Sequence, residues 1–156
     1  MELRRTMLFM PGNNPGMLQT AAVFGSDAVI FDLEDAVALT EKDAARYLIS
    51  EALRTNKYDD VEVVVRVNPL STPYAEKDID VIARLKPDAI LLPKACPEDI
   101  AVLDKKLDEI EKEMGFEAGS IKIHPLVETT YGVETVYETI KSSPRVISVL
   151  LGGEDL

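Results

Sequence analysis

The chain has 156 residues, 46% hydrophobic content and a formal net charge of −11, enough apolar material for one core of ordinary domain size. So acidic a balance argues against nucleic acid, which is bound by Lys/Arg clusters facing phosphates, and against an acidic membrane surface. No apolar run reaches the roughly 20 residues that cross a bilayer. Met7–Pro11 is too short for a signal core, and Cys96, the only cysteine, can form neither an internal disulfide nor a CxxC site. The cytoplasm is the expected compartment.

In chain order, Met7–Pro11 is the first predicted strand. A tight turn over Gly12-Asn13-Asn14-Pro15-Gly16 and a short helix to about Phe24 follow, closed by Gly25-Ser26-Asp27. Strand two, Ala28–Asp35, opens as an apolar run, the pattern of a strand covered on both faces. A helix after Thr40 carries Glu41 and Asp43 in its first turn, where the macrodipole favours acids, with Ala44, Ala45, Leu48, Ile49 and Ala52 at helical period. Strand three, Val61–Asn68, is rich in β-branched residues and stops at Pro69. A helix over about Ala75–Leu85 leads to strand four, Ala89–Lys94. Pro97–Met114 is the clearest helix, with Pro97 at its start, Glu98 and Asp99 in its first turn, an apolar face from Ile100 to Met114, and Gly115 at its end. Strand five is Ile121–Glu128, a helix covers about Val133–Ile140, and strand six lies within Val146–Asp155.

Strands alternating with helices at intervals of about 20–35 residues predict βα units and a parallel sheet. The fold class expected is α/β, of the (β/α)8 barrel type. A full barrel takes about 250 residues, so residues 1–156 are expected to form the first six units as one incomplete barrel domain. A complete six-stranded doubly wound sheet is the alternative, but the chain shows neither GxGxxG nor a P-loop.

Polar residues gather at the carboxyl ends of the strands, where parallel folds do chemistry. Glu128 and Asp155 end successive strands and could share a cation such as magnesium, which is usually held by one or two carboxylates plus water and substrate oxygens; each could equally be an ordinary turn acid. Arg66 lies in an apolar strand, either clamping a substrate carboxylate or paired with Glu34 or Asp35. Asp32, Glu34 and Asp35 need cationic partners, for which Arg66 and Lys94 are the candidates. Lys94 is expected to neutralise those acids rather than to form a Schiff base, since nearby carboxylates keep its pKa high. His124 reads as packing and Cys96 as a buried or turn cysteine. Pro11, Gly12 and Asn13 open a turn whose backbone N–H groups could meet a phosphate.

Arg5-Thr6-Met7-Leu8-Phe9-Met10-Pro11-Gly12-Asn13, Asp32-Leu33-Glu34-Asp35-Ala36-Val37, Val65-Arg66-Val67-Asn68, Leu92-Pro93-Lys94, Val127-Glu128-Thr129 and Gly153-Glu154-Asp155 occur in one order. This set resembles the HpcH/HpaI aldolase and citrate lyase superfamily, and within it the citrate lyase β-subunit branch. The resemblance implies a barrel with its site at the C-terminal face, magnesium at Glu128 and Asp155, and Arg66 on the substrate's carboxylate or keto-acid portion. It implies that Glu34 and Asp35 order that site, and that Arg5 and Pro11–Asn13 lie where an acyl-carrier or coenzyme A arm arrives. The implied reaction cleaves citryl-acyl carrier protein to oxaloacetate and the acetyl thioester, with the lyase α subunit and acyl carrier protein as partners. A malyl- or citramalyl-CoA-type lyase and a non-catalytic scaffold subunit are the alternatives. Six strands leave sheet edges open, so self-association is expected.

Overall fold

The computed structural model describes residues 3–156. Its strands are β1 (Met7–Pro11), β2 (Ala28–Asp32), β3 (Glu62–Arg66), β4 (Ala89–Leu92), β5 (Lys122–Val127) and β6 (Leu150–Leu151). They form one six-stranded parallel sheet in the order β1-β2-β3-β4-β5-β6. That sequential order decides between the two expected architectures. A doubly wound sheet reverses its strand order at a switch point, whereas here each strand lies beside its predecessor and the sheet curls as part of a barrel. The helices are α1 (Pro15–Thr20), α2 (Lys42–Thr55), α3 (Ala75–Ala83), α4 (Pro97–Met114), α5 (Thr130–Glu134) and α6 (Val136–Lys141), with short 3-10 turns at Ala21–Phe24 and Leu39–Glu41. None of the described helices is long and apolar enough to cross a membrane.

Alternation along the strands divides the core in two. Val29, Phe31, Val63, Val65, Ile90, Leu92 and Ile123 face the helices and pack on Leu18, Ile49, Ile82, Ile100, Leu103 and Leu107. Ile30, Val64, Ala89, Leu91 and Leu126 face the concave side. Strands buried on both faces therefore read as apolar runs, and β2 has no exposed residue.

Two boundaries differ from the sequence reading. The fifth helical segment starts at Thr130 because Thr129 caps it, accepting from Gly132 N at 3.0 Å. It breaks at Thr135, whose hydroxyl donates to Tyr131 O at 2.8 Å; such back-bonding bends helices. Strand six pairs regularly only at Leu150 and Leu151, after a single bridge at Val146. The approach to β6 is held instead by Arg145, which is 2% exposed and donates to Asp104, Asp108, Glu111 and the Ile121 carbonyl.

His124 is more than packing. It is fully buried, its Nδ1 lies 2.5 Å from Ser148 Oγ, and its Nε2 lies 3.3 Å from Glu62 Oε1, a carboxylate that Arg4 also engages. A buried imidazole needs such partners, and these belong to the concave side below the apolar layer.

Candidate active site

The carboxyl ends of β2, β3, β4 and β5 converge on one cluster. Asp32 closes β2 and is 1% exposed. Its oxygens accept from Glu34 N at 2.8 Å and Ala36 N at 3.0 Å, so this one carboxylate folds the Leu33–Asp35 turn. The same oxygens take the Arg66 fork, with Nε and Nη2 each at 2.6 Å. Arg66 was expected to pair with Glu34 or Asp35 or to clamp a ligand. Its bidentate partner is Asp32, and only Nη1 is directed at Glu34 Oε2, at 3.0 Å, with Asp35 further away at 3.7 Å. The guanidinium also stacks 5.1 Å from the centre of the Phe9 ring.

Glu34 is 5% exposed, and the Arg66 Nη1 contact to its Oε2 is an ion pair without hydrogen-bond geometry. Burial pushes its carboxyl up to about 7, against the pull of Arg66 and with help from the charges of Asp35 and Glu128. Glu128 follows β5, is 5% exposed, and accepts from Lys94 N at 2.9 Å; burial raises its pKa as well. Lys94 Nζ lies 2.6 Å from Asp155 Oδ2, 3.9 Å from Glu128 Oε1 and 4.0 Å from Glu34 Oε1. Its hydrogen bond to Asp155 holds the ammonium charged and the aspartate below its usual range, which disfavours Schiff-base chemistry. The acids that Lys94 meets are thus Asp155, Glu128 and Glu34, and not Asp35.

Glycines make room for this cluster. A Cβ on Gly12 would lie 2.6 Å from both Asp32 O and Ile49 Cδ1, and Gly12 N donates to that same carbonyl at 2.8 Å. Pro11 lies opposite Asp32 in register, so Pro11 and Gly12 lie beside the carboxyl end of β2, while Asn13 Nδ2 donates to Glu41 at 2.6 Å. At Gly152 a Cβ would sit 2.7 Å from Glu128 Oε2 and 2.8 Å from its Cβ. Gly152→Ala is expected to displace the Glu128 carboxylate and to cost about 1–3 kcal/mol. A denaturant midpoint would read the cost, and faster exchange of the Lys94 amide would read the displacement.

Arg5 is not brought to the cluster. It precedes β1, and its backbone and guanidinium bind Asp27 just before β2, at the amino ends of the strands. It thus stands at the opposite end of the strands from the cluster. Cys96 caps α4 half-buried, its thiol pushed up to about 11 chiefly by burial.

Sequence reasoning missed the support behind Glu34. Lys42, 5% exposed, donates to Leu33 O at 2.7 Å and Glu34 O at 2.6 Å. Asn68 Nδ2 reaches Leu33 O at 3.0 Å and Asp78 at 2.6 Å, and Asp78 is held by Arg46 at 2.7 Å. The available signal was a lysine at a helix start, where a cation opposes the macrodipole and needs another reason to be there. Lys42→Met keeps the alkyl stem but leaves Glu34 O without this donor. A loss of about 2 kcal/mol is expected, to be measured by urea unfolding.

The chain matches the HpcH/HpaI aldolase/citrate lyase family profile over residues 5–156. It belongs to that family. Relatives within and around the family include citrate lyase subunit beta of Leuconostoc mesenteroides subsp. cremoris, 44% identical over 98% of this chain and 51% of that protein. The citrate lyase subunit beta of Haemophilus influenzae is 42% identical over 99% of the chain and 54% of its own length. An L-malyl-CoA/beta-methylmalyl-CoA lyase of Cereibacter sphaeroides is 32% identical over 97% and 48%. Among solved structures, a citrate lyase beta subunit from M. tuberculosis complexed with oxaloacetate and magnesium superposes with a TM-score of 0.77 at 28% identity, covering 100% of this chain and 62% of that one. The chain spans about half the length of the curated relatives it matches.

Proposed function

We propose that the chain carries the metal and arginine groups of a magnesium-dependent carbon–carbon lyase that cleaves citryl-acyl carrier protein to oxaloacetate and acetyl-acyl carrier protein. The observation that carries this reading is the convergence of Glu128 and Asp155 on one cationic position, held here by Lys94 Nζ, beside Arg66 and Glu34. No three His, Cys, Asp or Glu side chains converge as a metal cage among the described residues. Magnesium does not need one, because two carboxylates with water and substrate oxygens suffice. Hard carboxylate oxygens suit that ion, and both Glu128 and Asp155 already face one cation, Lys94 Nζ, at 3.9 and 2.6 Å. Bound at Glu128 and Asp155, it would supply Lewis-acid stabilisation to the citryl hydroxyl and its neighbouring carboxylate.

The chain's own residues do the rest. Arg66, locked by Asp32, presents fixed positive charge through Nη1 to a substrate carboxylate. Lys94 adds a second cation on the same side. Glu34, poised at neutral pH by burial, accepts the hydroxyl proton as the carbon–carbon bond breaks, and returns it to the acetyl thioester enolate. Asp35 and the Pro11-Gly12-Asn13 turn border the entrance for the carrier arm. The likeness to subunits named citrate lyase beta supports an α subunit and an acyl carrier protein as partners. An unpaired cysteine suits a reducing compartment, and we place the reaction in the cytoplasm.

An acyl-CoA lyase is the second reading, favoured by the malyl-CoA relative. The test is oxaloacetate release from citryl-acyl carrier protein by the complete gene product, with and without magnesium, alongside malyl-CoA cleavage. Release that needs magnesium and is lost in both Glu128→Gln and Asp155→Asn is expected. Preferential malyl-CoA cleavage would move the substrate to the acyl-CoA class.

A further inference from the structure

Lys94 is one of three non-glycine residues described in the left-handed region, at φ 53°. That conformation carries a cost for a lysine, and such costs are retained where surrounding contacts demand them. Here it turns both ends of one residue into the site. The backbone N–H fixes Glu128 at 2.9 Å, and the side chain reaches back to Asp155 at 2.6 Å. The ammonium is therefore the cation nearest to both candidate metal ligands. Arg66 cannot take its place, because Nε and Nη2 are committed to Asp32. The lysine and aspartate side chains remain 40% and 44% exposed, so the ammonium has a path outward.

We propose that Lys94 is a resident counter-ion that the entering divalent cation displaces from Asp155, so that metal loading and delivery of the ammonium to the substrate side are one event. This rests on the reading of Glu128 and Asp155 as metal ligands. A monovalent ammonium and a divalent ion cannot both occupy the space between two carboxylates without repulsion. Binding of the metal breaks the Asp155 contact and leaves the Lys94 amide on Glu128. The released Nζ then has as its neighbours the substrate carboxylate and Glu34, which lies 4.0 Å from Nζ while it is still paired with Asp155. Lys94 is in this sense a positioning residue whose charge sets metal affinity.

The test is Mn2+ binding followed by the electron paramagnetic resonance signal of free Mn2+, at one pH and ionic strength, with this chain. Lys94→Met keeps the backbone amide and the stem, and is expected to bind Mn2+ about tenfold more tightly than the parent. Lys94→Arg, which keeps the charge, is expected to stay close to the parent. Lys94→Gln gives the same reading without charge should the methionine variant fold poorly. Equal or weaker binding by the neutral variants overturns the proposal, and means that Lys94 only shapes the turn. Glu128→Gln separates the two failures. If it abolishes Mn2+ binding while Lys94→Met changes nothing, the metal site stands and the counter-ion does not. If it leaves binding unchanged, the ligand assignment and the proposal fall together.

Discussion

Asp32→Asn is expected to destabilise the chain by about 3–5 kcal/mol, the range for breaking a buried ion pair from one side. The carboxylate is 1% exposed and accepts four N–H groups, two from Arg66 and two from the Glu34 and Ala36 backbone. Asparagine offers one acceptor oxygen and one donor amide. Whichever way it is turned, its NH2 faces one guanidinium N–H and one backbone N–H. Arg66 is then left buried with Glu34 as its nearest acid, and the Leu33–Asp35 turn loses half its fastening. The measurement is the urea midpoint of Asp32→Asn, Arg66→Met and the double variant. Coupling of 2 kcal/mol or more is expected, since contacting residues are non-additive, and the double variant should be more stable than Asp32→Asn alone. Strict additivity would show that the two residues do not act as a unit.

The pair also shows how far the sequence could be read. Strands buried on both faces announce themselves as apolar runs, so β2 to β5 and the helices between them were legible, and so was the gathering of polar residues at their carboxyl ends. Partner choice was not. Asp32, Glu34 and Asp35 lie within four consecutive residues, and only the register of β2 against β3, which sets Asp32 opposite Arg66, selects among them. Lys42, Asn68 and Asp78 come from three different parts of the chain; that Lys42 and Asn68 meet on the Leu33 and Glu34 carbonyls, with Asp78 holding Asn68 from behind, is a product of packing. Arg5 was drawn to the site by a motif that begins before β1. A residue preceding a parallel strand belongs to the amino-end face, and Asp27, placed likewise before β2, receives it there. The break at Thr135 and the brevity of β6 escaped notice because a hydroxyl back-bond and a side-chain clamp leave no periodic trace. His124 illustrates the same limit, since its partners Glu62 and Ser148 lie on β3 and ahead of β6.

Glu34 should make the metal-free chain lose stability as pH rises between about 4.5 and 7. Its carboxyl is raised from 4.5 to about 7 in the fold, so across that window the folded state holds a proton that the unfolded state has released. Stability is then fully present below the unfolded pKa and is lost as pH climbs through the folded one. A displacement of this size corresponds to a few kcal/mol at most, on the order of 3. Glu128, also raised by burial, acts in the same direction. The acid side has the opposite origin. Glu62 and Glu111 are lowered to about 2 despite burial, through hydrogen bonds from His124 and Arg4 and from Arg145 respectively. Their contribution is present above the unfolded pKa and fades as pH falls toward 2. Urea midpoints taken in EDTA from pH 3 to pH 8 should therefore peak near pH 4.5–5 and decline on both sides. Glu34→Gln, which keeps the shape and removes the charge, should flatten the alkaline limb and leave the acid limb in place. An alkaline limb that is already flat in the parent, or that Glu34→Gln leaves unchanged, would deny Glu34 its raised pKa. It would also remove the physical basis for giving Glu34 the proton-transfer role, because a carboxyl with an ordinary pKa is a much weaker base at neutral pH than one held near 7.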